Sequence, residues 1–123
     1  HTSTFLGHPV GCAMALAAID LHLSEEVKGQ VAELEATMAS RLKPLQEHGA
    51  IEEVRGRGVM WGIEFVDPTY PGRLSVEMLK EGFLVLPGGP RGEVLSLTPP
   101  FALTEDELAS AISALQGRIE GVD

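Results

Sequence analysis

The chain has 123 residues, 44% of them hydrophobic, and eighteen acidic against nine basic side chains give it a formal net charge of −9. So acidic a molecule repels phosphate backbones and anionic headgroups, which argues against nucleic acid and membrane surfaces as partners. A single cysteine, Cys12, rules out a disulfide framework and makes the reducing cytoplasm the expected compartment.

From His1 to Ile19 no Asp, Glu, Lys or Arg occurs. The stretch opens on hydroxyls and a glycine, HTSTFLG. Pro9 then suits a first helical turn, where its missing N–H costs nothing, and VGCAMALAAI follows with no polar face. A helix apolar all round is buried all round, and this one is shorter than the ~20 residues a bilayer requires. It reads as a core helix whose neighbours are too few in this chain, with Cys12 as a small buried hydrophobe rather than a nucleophile. The chain is therefore expected to be a piece of something longer.

Ser24 offers an N-cap, Glu25 and Glu26 complement the helix dipole, and Val27, Val31, Leu34, Met38, Leu42 and Leu45 recur at spacings of three and four. The pattern predicts an amphipathic helix of about six turns, ended by His48 and Gly49. The period then changes to two, with Val59, Trp61, Ile63 and Phe65 on one face of a strand. After the turn-rich DPTYPG, residues Arg73 to Glu81 read as a short helix with Leu74, Met78 and Leu79 inward. Phe83 to Leu86 reads as a strand, LPGGPRG as a loop and Glu93 to Thr98 as another strand. Thr104 and Glu107 make a capping box for a last helix striped by Leu108, Ala111, Ile112, Leu115 and Ile119. No repeat or low-complexity tract interrupts this order. The expected class is α/β: a small α+β layer preceded by a buried helix.

Few motifs bear chemistry. RGRG at 55–58 lacks the Lys-Ser/Thr of a phosphate loop and reads as a bulge or tight bend before a strand. His1, His8, His22 and His48 show no metal-ligand spacing, so no metal is expected, and no serine lies in a nucleophile elbow. The opening stretch is the exception. Hydroxyls and backbone N–H groups from Thr2 to Gly7, ahead of a helix N-terminus, suit an anion.

Three blocks, STFLGHPVGCAMALA, VRGRGVMWGIEF and VLSLTPPFALTEDEL, stand in this order and cover most of the chain. Together they resemble the C-terminal part of the class III aminotransferases, which use pyridoxal 5'-phosphate. The resemblance implies a fold-type I transferase. Residues 1–23 would be the tail of the large cofactor-binding domain, 24–48 a long connecting helix, and 49–123 the small C-terminal domain. It implies that Thr4, with Ser3 beside it, reaches the cofactor phosphate held by the other subunit of a homodimer. It further implies an amino donor, either an amine or an ω-amino acid, and a 2-oxo acid acceptor.

Two departures qualify the resemblance. Lys28, Lys43 and Lys80 are the only lysines, and none stands in the strand-end setting of a cofactor-bearing lysine, so the chain alone is expected to be inactive. Where many relatives place a carboxylate-binding arginine, three residues before a Pro-Pro pair, this chain has Ser96. Either Arg91 replaces that fork, or one substrate lacks a carboxylate there. The competing readings are a non-catalytic regulatory or ligand-binding module, with the first stretch as a plain helix cap, and another enzyme of this fold, such as an aminomutase or a decarboxylase.

Overall fold

A computed structural model describes residue 4 and residues 6–121 of the chain. Helix α1 (Pro9–Leu23) begins with Pro9 in its first turn, and its N-cap is His8, whose Nδ1 accepts a long 3.4 Å hydrogen bond from the Gly11 N–H. None of its residues is buried. Its far end is anchored where the His22 ring meets Phe101 edge-on, at 6.2 Å between centroids. Cys12, expected in a core, is therefore exposed along with the rest of α1.

Ser24 caps α2 (Glu25–Leu42), accepting from the Val27 N–H at 3.3 Å. Val27, Met38 and Leu42 are buried on its inner face, as the spacing requires. The helix does not run on to His48. Pro44, which cannot donate to an α-helical ladder, falls in the first turn of a 3-10 helix, Lys43–Glu47, which carries Leu45 into the core.

Strand β1 (Ile51–Arg57) was not expected, and it takes in most of the RGRG stretch. Of that stretch only Gly58, at φ +58, lies in the tight turn that leads into β2 (Met60–Phe65). Val59 thus lies in the turn, while Trp61, Ile63 and Phe65 are buried on one face. A Cβ at Gly56 would lie 2.2 Å from the Trp61 ring, so the indole rests flat on bare backbone; its Nε1 donates to the Gly58 carbonyl at 2.9 Å. Helix α3 (Tyr70–Lys80) starts a turn earlier than expected. Leu74 and Met78, four apart, face inward, but Leu79 points away and is exposed.

Pairing by the next strand, β3 (Leu86–Gly88), starts where the expected strand at Phe83–Leu86 ends. Residues 83–85 are unpaired, and the segment read wholly as loop begins as β3. Strand β4 (Val94–Leu97) and α4 (Glu105–Glu120) fall where expected, the latter with its capping box formed. The antiparallel sheet has the order β1-β2-β4-β3. Its inner face, with Val54, Ile63, Leu95 and Leu97, packs with Met38, Leu42, Leu74, Met78, Leu108, Ile112, Leu115 and Ile119 of the helices into one core. Gln116 Nε2 donates to the Arg41 carbonyl at 2.9 Å and the Tyr70 hydroxyl to the Arg118 carbonyl at 3.1 Å, tying α4 to α2 and α3.

Candidate functional site

Because side chains alternate along a strand, the residues between the core positions form a second face of the sheet. Arg55, Gly62, Ser96 and Leu86 are neighbours across the four strands in one row of that face. Ser96 is half-buried. Its surroundings are kept small: a Cβ at Gly88 would come within 2.8 Å of Ser96 Oγ, and one at Gly62 within 3.1 Å of Val94 Cγ1. A side chain at 88 would cover the serine.

Register pairing between the edge strand β3 and its neighbour β4 begins only at Leu86, so Phe83–Val85 are not stitched to the end of β4. A cleft of about 370 Å³ opens there. Phe83, Leu84, Leu86, Pro99 and Leu103 line it together with core residues of the helices, and Ser96 and Thr98 supply hydroxyls. No Arg, Lys, His, Asp or Glu lines it.

Arg91 is elsewhere. It sits in the turn of the β3–β4 hairpin with its side chain 70% exposed, and its Nε lies 3.8 Å from Glu93 Oε1. Glu93 is the important residue of that turn and was missed in the sequence, where it reads as one more surface acid. It is only 6% exposed, and its Oε2 accepts the Arg91 backbone N–H at 2.7 Å. Its own backbone N–H, then that of Arg91, hold the carboxyl below the usual range against a burial that raises it. Gly89, at φ +83, leaves the space for it: a Cβ there would stand 2.9 Å from the carboxyl carbon. The hairpin turn is thus wound around a buried carboxylate, and Arg91 is held by its backbone at the end of the hairpin away from Ser96.

Arg55 is the one cation in the Ser96 row. Its Nη1 is 2.6 Å from both Glu53 Oε2 and Glu64 Oε2, which raise its already high pKa, so its charge is neutralised by two acids of the sheet. It offers no free fork.

At the other end of the chain, Thr4 lies exposed in a turn ahead of α1, and Ser3 is outside the described residues. Since His8 caps α1, Thr4 is not its cap. The lysines are all exposed, Lys28 with its Nζ 2.7 Å from Glu25, and none lines the cleft. Among the described residues no cluster of His, Cys, Asp or Glu is suited to a metal ion, and no helix is long and apolar enough to cross a membrane.

The sequence profile of the aminotransferase class-III family matches residues 1–119. Ornithine aminotransferase of Staphylococcus epidermidis is 37% identical over 116 residues, which are 94% of this chain and 28% of the relative. An acetylornithine aminotransferase from Elizabethkingia anophelis has a TM-score of 0.82 at 28% identity, covering 99% of this chain and 31% of its own. An amine transaminase from an uncultivated Pseudomonas species, solved in its PLP-bound form, has a TM-score of 0.78 at 33% identity, covering 98% and 29%. The chain spans under a third of the length of the relatives it matches.

Proposed function

The chain belongs to the class III aminotransferases, and from that membership we propose that it works within a longer, pyridoxal-phosphate-dependent enzyme that moves an amino group from an amine or ω-amino acid to a 2-oxo acid. The observation that carries the choice of donor is the setting of Ser96. A hydroxyl stands where a carboxylate-binding fork would be expected, beside a cleft without a charged lining, and the nearest cation in its row is already paired. A donor carboxylate there would be desolvated without a partner.

The residues suit one end of the cofactor only. Thr4, an exposed hydroxyl that caps no helix, is the right chemistry for a phosphate oxygen, and Ser3 precedes it in sequence. No lysine is enclosed, so this chain would hold the phosphate end while the covalent attachment lies on the rest of the enzyme. When bound, pyridoxal phosphate supplies the electron sink for bond changes at the donor's amine-bearing carbon. This chain would contribute the Thr4 hydroxyl toward the phosphate and, from Ser96 to Pro100, a wall that excludes water on the substrate side. The proposed enzyme is a cytoplasmic homodimer in which Thr4 serves the partner's cofactor. Residues 1–23 are then the tail of the large domain, 24–48 the connection and 49–123 the small domain.

The test is Ser96→Arg in the complete enzyme. The ratio of kcat/KM for a simple amine over that for an α-amino acid should fall, because the fork crowds an apolar site and binds an α-carboxylate. A charge-assisted pair is worth roughly 1.5–3 kcal/mol, so the fall should be about ten- to a hundredfold. A level ratio, with both donors needing a carboxylate in the parent, would show that another residue provides the anchor.

A further inference from the structure

Glu93 is the one buried charged side chain among the described residues, and none of the roles above uses it. A carboxylate out of water is costly unless close donors satisfy it, and here the hairpin turn supplies them from its own backbone, the N–H groups of Arg91 and Glu93. We propose that Glu93 is a positioning residue for the substrate side: by closing the β3–β4 turn around its carboxylate, it fixes β3 beside Ser96. The proposal rests on the transaminase reading above for one point, that Ser96 faces substrate.

Strand β3 has little else to hold it. It is an edge strand of three residues, none of them buried, and its middle residue, Pro87, has no N–H to give. Residues 83–85 before it are not paired with β4. The turn after it therefore sets its place. Gly89 and Gly92 enter that turn at φ +83 and +82, and the one backbone bond across it, from the Gly92 N–H to the Gly89 carbonyl, is long at 3.3 Å. The Glu93 carboxylate adds the tighter closure, 2.7 Å from the Arg91 nitrogen. Glu93 is also tied to the middle of the sheet, because its carbonyl accepts the Phe65 N–H at 2.8 Å, beyond the Glu64 and Val94 pair. Its main chain thus belongs to the sheet and its side chain to the turn, so one residue refers β3 to β2. The consequence falls on Ser96. Leu86 lies across from it, and Gly88 approaches so closely that a Cβ would stand 2.8 Å from Ser96 Oγ. A misplacement of ~1 Å in a group that shapes a site is enough to cost about a hundredfold in rate.

The experiment makes Glu93→Gln and Glu93→Ala in the complete enzyme, each alone and combined with Gly88→Ala. Gln keeps the length and one acceptor oxygen, whereas Ala keeps neither. Amide hydrogen exchange in the peptide spanning residues 83–97 should quicken about tenfold in Glu93→Ala and less in Glu93→Gln. The kcat/KM for a primary amine should fall about threefold in Glu93→Gln and about tenfold or more in Glu93→Ala, chiefly through KM. Gly88→Ala should cost about tenfold where Glu93 holds the turn, and at least about fivefold less beside Glu93→Ala, since a loosened β3 moves aside for the methyl. Should Glu93→Ala fail to fold, Glu93→Gln carries the same comparisons with smaller factors. A purely structural Glu93 would lower the unfolding midpoint but leave the KM of the folded variants unchanged and the two substitutions additive, and that result overturns the proposal while the activity stands. If the parent transaminates no donor at all, the proposed function fails before any variant is compared, and the proposal fails with it.

Discussion

Thr4 is exposed in a turn, and the helix after it is already capped by His8, so the hydroxyl has no structural work among the described residues. Replacing it should leave the fold untouched. In the complete enzyme, Thr4→Ala is expected to weaken cofactor retention by roughly 1.5–3 kcal/mol, or about ten- to a hundredfold in Kd, with unchanged circular dichroism. Dialysis against cofactor-free buffer measures it, and loss of the dimer in parallel would place the contact across the subunit boundary. A variant as tightly loaded as the parent would remove Thr4 from the cofactor site. Ser96 was singled out through the resemblance, as the residue three before Pro99 where many relatives place an arginine. The separation of Arg91 from Ser96 was not legible, because it depends on the hairpin register and on the buried carboxylate of Glu93.

Helix α4 begins on a reciprocal cap: the Glu107 N–H donates to Thr104 Oγ1 at 3.3 Å, and the Thr104 N–H donates to the Glu107 carboxylate at 2.9 Å. The backbone N–H and the hydroxyl of Thr104 hold the Glu107 carboxyl below its ordinary pKa of 4.5. A carboxyl lowered on folding stabilises above its unfolded pKa, and that contribution is lost as the pH falls through the folded value. Thr104→Ala should therefore destabilise the fold by about 1 kcal/mol at neutral pH, with the gap to the parent narrowing on acidification below pH 4.5. Urea melts at pH 7 and at pH 3 check this; a gap that widens in acid would refute the assignment. Both α2 and α4 were legible because burial on one face imposes a period of three to four. Strand β1 was not, since an irregularity between Ile51 and Glu53 breaks its alternation and its second face is charged, with Glu53, Arg55 and Arg57. The cleft was illegible for a related reason. Its walls come from the 83–86 segment, the end of β4 and α4, and in sequence each reads as ordinary core.

For the molecule as a whole, the sheet and three helices form a closed core, while α1 carries Val10, Met14, Leu16, Ile19 and Leu23 each more than half exposed. A helix with no polar face stays in water only at a cost of ~25 cal/mol per Å² of apolar surface. The 13.1 kDa chain by itself is therefore expected to sediment at micromolar concentration as species larger than a monomer and to take up a hydrophobic dye. A dispersed, dye-free monomer would mean that α1 needs no cover. The stacking of Trp61 on Gly56 offers a way to follow that cover optically. Trp61 is the only tryptophan of the chain, and α1 contains no Trp, Tyr or Phe. Indole emission thus reports on the sheet and is blind to α1, whereas far-ultraviolet ellipticity sees both. On heating, the two signals separate if α1 unravels first, and they coincide when something holds it.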